Sequence, residues 1–336
     1  MYENIKKAEY YKKIAGTENV QCFLCPQECK ITPQNTGLCR ARKNIDGHLY
    51  CENYAKISSS GLDPIEKKPL YHFFPGEEIL SLGTYGCNFS CGFCQNWRIS
   101  QEIPGELKKL TPHEAVEMAC RKGVSGIAYT YSEPLVWFEY VRDVSRLAEK
   151  RKLNNVLVTN GFINPEPLEE LLPFIAAANV DLKSFRDEFY RQQCGGSLEP
   201  VLKSIQKMYE AGIHLELTTL LIPGLNDNRE ELRELFSWIK DLDPDIPLHL
   251  SRYFPRYQSE ISSTSPEKIR EAFKLAGKYL SYVYPGNIEI GEGSNTCCPD
   301  CGTTVIIRRG YRTENRLDGG NCPDCGREII ASENIP

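Results

Sequence analysis

Three cysteines, Cys87, Cys91 and Cys94, fall within eight residues of the stretch GCNFSCGFCQNW (86–97), with no fourth close by. Structural zinc sites are closed by four ligands, and ordinary iron–sulfur clusters are likewise held by four thiolates. Three thiolates in a C-x3-C-x2-C loop can hold three corners of a [4Fe–4S] cube and leave the fourth iron open to a substrate or cofactor. Phe93, just before the last of the three, is placed to shield such a cluster from water.

The chain carries 15 cysteines, and eight others fall into two complete four-cysteine groups. Cys22, Cys25, Cys29 and Cys39 form C-x2-C-x3-C-x9-C. They suit zinc or an auxiliary [4Fe–4S] cluster, and zinc is favoured because short four-cysteine loops at a terminus usually serve folding. Cys298, Cys301, Cys322 and Cys325 form two CPDCG knuckles, the pattern of a zinc ribbon, with rubredoxin-type iron the alternative. The glycine after each second cysteine permits the turn that aims amides at the sulfurs. Cys51, Cys120, Cys194 and Cys297 fit no ligand spacing and read as packing residues. Clustered thiols of this kind belong to a reducing compartment. A polar N-terminus and no apolar run of bilayer length lead to the expectation of a cytoplasmic protein. A net charge of −5 gives no nucleic-acid footprint. Only the arginines at 308, 309, 312 and 316, between the two knuckles, point that way.

The elements that must position the three-cysteine loop lie between about 75 and 295. Short β-rich runs are expected at 78–84, 125–131, 155–160, 179–183, 214–222 and 247–252, with a further one at 287–292. Helical patterns separate them. Thr111 and Glu114 make a capping box, and Gly123 closes that helix. Strands recurring with helices between them predict βαβ units and a parallel sheet. Six or seven units predict an α/β barrel, open or closed, with its site at the C-terminal strand ends. A doubly wound sheet is the rival. The expected division is a Cys-rich module at 1–74, the barrel at 75–295 and a ribbon module at 296–336.

The strand ends carry the remaining candidates. Period-two alternation puts Tyr129, Tyr131 and Glu133 on one face, although Ser132 also reads as a helix N-cap before Pro134. Thr159 and Asn160 end the third strand, and Asp181 and Lys183 the fourth. Two opposite charges in an apolar strand are costly to bury unless paired or functional. Gly224 sits in a turn after the fifth strand. His249 and Arg252 lie on opposite parities at the end of the sixth.

C-x3-C-x-aromatic-C on the loop after a first strand resembles the motif of the radical S-adenosylmethionine (SAM) enzymes. The resemblance implies a partial or full TIM-like (β/α)6-type barrel in which SAM chelates the open iron. One electron then cleaves the sulfonium, and a 5′-deoxyadenosyl radical abstracts hydrogen. It further implies that Glu133 receives the SAM ammonium, that Gly224 lies against the adenine and that His249 lies near SAM; Phe93, Tyr131, Thr159, Asn160, Asp181, Lys183 and Arg252, singled out by their positions, are the further candidates around the cofactor. With LDPIEKKPLYHFFPG (62–76) and CQNW included, nearly the whole chain resembles the AmmeMemoRadiSam system radical SAM enzymes, relatives of the pyruvate formate-lyase activating enzymes. Glycyl-radical activation, a flavodoxin or ferredoxin donor, and AMMECR-type and Memo-type partners are implied by that resemblance. Radical modification of a small molecule or RNA is the second enzyme reading. An electron-transfer or nucleic-acid-binding protein is the non-enzyme one.

Overall fold

The computed structural model describes residues 5–288 and 293–335. Its centre is one eight-stranded sheet built from β1 (Ser59–Pro64), β2 (Glu78–Gly83), β3 (Gly126–Tyr129), β4 (Asn154–Thr159), β5 (Ala177–Asp181), β6 (His214–Leu221), β7 (Leu248–Arg252) and β8 (Val283–Gly286). The spatial order follows the chain from β1 to β8. β2 to β8 are parallel, and β1 pairs antiparallel with β2. The first and last strands do not pair, so the curved sheet is an open barrel. The inner strands are buried along nearly their whole length, as expected where both faces of a parallel sheet are covered.

Helices follow the parallel strands: α1 (Pro112–Lys122), α2 (Phe138–Glu149), α3 (Pro165–Leu171), α4 (Leu198–Glu210), α5 (Arg229–Leu242) and α6 (Pro266–Ala276). α1 starts on the Thr111/Glu114 capping box and stops at Gly123 in the left-handed conformation, φ 67°. This connectivity, not a doubly wound sheet, is the one the chain adopts.

Both edge strands depart from the expected pattern. β1 precedes residue 75, so the expected boundary at 74/75 falls inside an antiparallel hairpin and the barrel begins earlier. β8 lies at 283–286, and residues 289–292 of the expected run at 287–292 lie outside the described residues. β8 contains Pro285, and on an edge its missing N–H costs no ladder bond.

The gap between the edges is plugged by residues 65–76 and covered by the C-terminal module. Asn179 Nδ2 donates to Pro69 O (2.8 Å), and the N–H groups of Tyr71 and His72 each donate to Glu216 Oε1 (2.7 Å). The ribbon's strands, Thr296–Cys297, Thr304–Arg309 and Arg312–Asn315, lie over this plug. The Arg308 guanidinium sits 4.1 Å from the Tyr71 ring centroid and donates to Tyr71 O at 2.6 Å. Thr313 Oγ1 donates to Glu66 Oε1 at 2.8 Å. Arg308 is buried in this contact and unavailable to a nucleic acid, which removes it from the arginine cluster that had suggested one. At the other side the N-terminal module packs on α2 through the buried Arg42–Glu139 pair and the Arg142–Glu9 pair.

Candidate active site

The loop after β2 is clamped before it reaches its first thiol. Thr84 Oγ1 donates to Lys56 O (2.7 Å), and Ser58 Oγ donates to Thr84 O (2.7 Å). Gly86 has φ 98°, and a Cβ there would stand 2.3 Å from Cys39 O, so only glycine fits. Beyond it, the Ser90 N–H donates to Cys194 O (2.8 Å) and Gln101 Nε2 to Phe89 O (2.9 Å). The Gln258 N–H donates to Gly92 O at 2.9 Å. A loop held from four separate segments presents its side chains in fixed positions.

Cys87, Cys91 and Cys94 open into one cavity of about 690 Å³ at the C-terminal strand ends. Burial pushes the Cys87 thiol far above its ordinary range and raises Cys94. Holding Cys87 and Cys94 as thiolates there requires a cation, and metal binding releases their protons. Phe93 and Phe89 share the cavity wall, with Phe93 nearly buried and its ring 6.0 Å from that of Phe189. Cys194 is a neighbour of Cys91. It is fully buried behind it and does not line the cavity, so three thiols face the space and one corner is left open. The donor set therefore fits an open-corner [4Fe–4S] cluster.

Glu133, Thr159 and Asn160 form one network beside Cys87. Glu133 Oε1 accepts from Thr159 Oγ1 (2.6 Å) and the Leu135 N–H (2.9 Å), and Oε2 from the Asn160 N–H (2.8 Å). Burial nevertheless raises its carboxyl to about 7. Asn160 Nδ2 lies 2.9 Å from Asn88 Oδ1 and 3.6 Å from Cys87 Sγ. Glu133, not Ser132, is the N-cap before Pro134; Ser132 Oγ donates instead to Thr84 O (2.8 Å).

Asp181 and Lys183 also line the cavity and pair at 2.9 Å. Burial opposes its charge, yet Asp181 and the thiols of Cys91 and Cys194 hold the Lys183 ammonium well above its ordinary range. Arg252 reaches the cavity from the end of β7, anchored by its Nε to Thr264 O (2.7 Å).

Tyr131 lines the cavity but is separated from Tyr129, because β3 ends at Tyr129 and Tyr131 has φ 71°. Tyr129 instead packs under α2, its hydroxyl donating to Asn155 Oδ1 (2.9 Å) and accepting from Ser145.

Two expected residues are not brought to the cavity. His249 does not line it; its Nε2 is paired with Glu216 Oε2 at 2.6 Å, its ring lies against Tyr71, and its strand partner Thr218 is the residue at the cavity wall. Gly224 is exposed in a turn, φ 74°, with its N–H on Asp227 Oδ1 (2.9 Å), and Leu220 faces the cavity in its place.

Strand-end reasoning missed Asp63 and Lys68. The Asp63 carboxylate accepts from Lys67 Nζ (2.8 Å), Lys68 Nζ (2.7 Å) and the Tyr131 hydroxyl (2.7 Å). Burial opposes its ionisation, but these three donors hold it well below the usual carboxylate range. Lys68 lies 4.8 Å from the Tyr131 ring centroid and is buried at the cavity wall. The charged run in LDPIEKKP was the available signal.

Away from the cavity, the sulfurs of Cys298, Cys301, Cys322 and Cys325 all lie within 4.8 Å of one another. Gly302 (φ 78°) and Gly326 (φ 77°) close the two knuckles. Cys297, expected to pack, is exposed. Among the described residues no helix is long and apolar enough to cross a membrane.

Comparison with known proteins agrees with this geometry. The profile of the Radical SAM superfamily matches residues 81–239. The uncharacterized protein MJ0808 of Methanocaldococcus jannaschii is 42% identical over 309 residues, spanning 90% of this chain and 92% of that one. The GTP 3′,8-cyclase of Listeria welshimeri is 28% identical over 186 residues, about half of each chain (51% and 52%). The pyruvate formate-lyase 1-activating enzyme of Escherichia coli is 25% identical over 201 residues, 57% of this chain and 78% of that one.

Proposed function

Because the chain belongs to the radical SAM superfamily, we propose that Cys87, Cys91 and Cys94 hold its [4Fe–4S] cluster and that SAM occupies the remaining cavity. The observation that carries this reading is the convergence of three thiols, with no fourth among the described residues, on the cavity that also contains Glu133 and Asn160. Bound together, cluster and SAM supply one-electron cleavage of the sulfonium to a 5′-deoxyadenosyl radical. The chain's own groups do the positioning. Glu133, ionised once an ammonium sits beside it, takes the amino group. Asn160 fixes Glu133 and Cys87 in one hydrogen-bonded unit, and Phe93 and Phe89 exclude water from the cluster. Asp181 and Lys183 offer one acid and one base to the rest of the cofactor. The C-terminal thiols hold zinc, whose ribbon keeps the plug at 65–76 in place.

The hydrogen donor we propose is a glycine Cα of a partner protein, as in glycyl-radical activation. Similarity to the E. coli activating enzyme supports it. So does the cavity mouth, where Phe254 and Tyr311 are exposed; exposed aromatics are enriched at protein interfaces. AMMECR-type and Memo-type proteins are candidate partners, flavodoxin or ferredoxin the candidate donor, and the cytoplasm the proposed location. Similarity to the cyclase favours a second reading, a small-molecule substrate. Incubation of reconstituted protein with SAM, reductant and a glycyl-radical protein deuterated at glycine distinguishes them. Deuterium in 5′-deoxyadenosine supports activation. Unlabelled 5′-deoxyadenosine formed at an unchanged rate with or without that protein contradicts it.

A further inference from the structure

The two four-cysteine groups differ in spread. About 2.3 Å Zn–S bonds in a tetrahedron put sulfurs roughly 3.8 Å apart, and the C-terminal four lie within 4.8 Å of one another. Among the described residues no other group of three or more candidate ligands closes to that limit. Cys22, Cys25, Cys29 and Cys39 nevertheless line one common cavity, and three of them are buried. Cys87, Cys91 and Cys94 show the same signature, facing one space while standing farther apart than ligands of a single ion. A cubane interposes its irons between the thiolates and requires such a spread.

The surroundings fit the larger group. Leu24, Ile31 and Val136 give the cavity apolar walls. Arg42 also lines it, buried and paired with Glu139, and its Nε has no hydrogen-bond partner. Four thiolates around a [4Fe–4S] core carry net negative charge and expose sulfurs that accept N–H donors, and Arg42 supplies both a cation and a free N–H.

The site also abuts the active-site loop. The backbone at Cys39 touches Gly86, the residue before Cys87. Gln27, between Cys25 and Cys29, donates to Asn88 O (2.9 Å), and Asn88 accepts from Asn160, which reaches Cys87.

We propose that Cys22, Cys25, Cys29 and Cys39 bind a second, fully ligated [4Fe–4S] cluster that relays electrons to the one on Cys87, Cys91 and Cys94. A low-potential one-electron donor protein reduces the second cluster from 2+ to 1+. Passing that electron on returns it to 2+, and no bond or proton changes at the relay. The relay, unlike the metal assignment, rests on the function proposed above.

Metal and sulfide analysis with EPR, on anaerobically reconstituted protein and on Cys87→Ala/Cys91→Ala/Cys94→Ala, tests the assignment. The intact chain should hold about eight irons and one zinc, and the triple variant about four irons with a reduced signal indifferent to SAM. About four irons and two zincs in the intact chain, with none of the iron left in the triple variant, would overturn the second cluster. A triple variant that keeps its iron, beside an intact protein blind to SAM, supports the second cluster and counts against the open site alone. For the relay, Cys29→Ser removes the least buried ligand and is checked for folding by circular dichroism. Reduced flavodoxin should then reduce the SAM-sensitive cluster about tenfold more slowly, while titanium(III) citrate still reduces it. An unchanged flavodoxin rate overturns the relay.

Discussion

The backbone N–H of Asn160 donates to Glu133 Oε2 across 2.8 Å, while the side chain of the same residue stands 3.6 Å from Cys87 Sγ. One residue at the end of β4 thereby ties the buried acid of the β3 end to the first thiol of the β2 loop. With the cluster on Cys87 and the cofactor ammonium on Glu133, as proposed, the two would lie on the two sides of Asn160.

With its carboxyl raised to about 7 by burial, Glu133 is half protonated at neutral pH and loses its attraction for an ammonium in acid. SAM affinity, read by anaerobic calorimetry, should rise with pH through about 7. Glu133→Gln should remove that dependence and cost about 1.5–3 kcal/mol of binding, as for a hydrogen bond to a charged group. In the SAM-free protein the folded state holds this proton above the unfolded value of 4.5. Glu133's contribution to stability is therefore full below about 4.5 and lost as pH rises through about 7.

Asp63→Ala leaves Lys68 buried with no carboxylate and frees Tyr131 from its anchor. Breaking one partner of a buried pair costs about 3–5 kcal/mol, so thermal melting should show a large loss. The depressed Asp63 carboxyl contributes stability above its unfolded value of 3.8, and that contribution is lost as pH falls through its folded value.

His249→Ala should act on folding alone. It removes the 2.6 Å partner of the buried Glu216 carboxylate, a loss of about 1.5–3 kcal/mol in denaturant titrations. SAM affinity should stay at the wild-type value; a marked loss of affinity would place His249 at the cofactor after all.

Cys298→Ser/Cys322→Ser should release about one zinc and leave the iron content unchanged. The melting temperature should fall, because Cys298 and Cys322 belong to the same apolar cluster as Tyr282, Tyr284 and Ile306. An unchanged zinc content would place the metal elsewhere.

The central strands were legible because strands buried on both faces read as apolar runs bounded by turn residues. The edges were not: β1, SSGLDP, is polar with glycine and proline, and β8 contains Pro285. At the site, Glu133, Thr159, Asn160, Asp181 and Lys183 stood out because each ends or follows a central strand. His249 shows the limit of periodicity. Alternation gives the face of a strand but not the depth, and His249 lies one layer below the cavity, where Glu216 and Tyr71 fill the barrel. Asp63 and Lys68 reach the cavity from the antiparallel edge, which no βαβ pattern predicts. The spacing of the N-terminal cysteines was visible, but the separation of their sulfurs is a property of the folded chain.

The most direct test of the central claim is the EPR spectrum of the dithionite-reduced protein before and after SAM is added. A cluster with its open corner on this cavity predicts a changed signal on SAM binding, absent from Cys87→Ala/Cys91→Ala/Cys94→Ala. A reduced spectrum that saturating SAM leaves unaltered would contradict it.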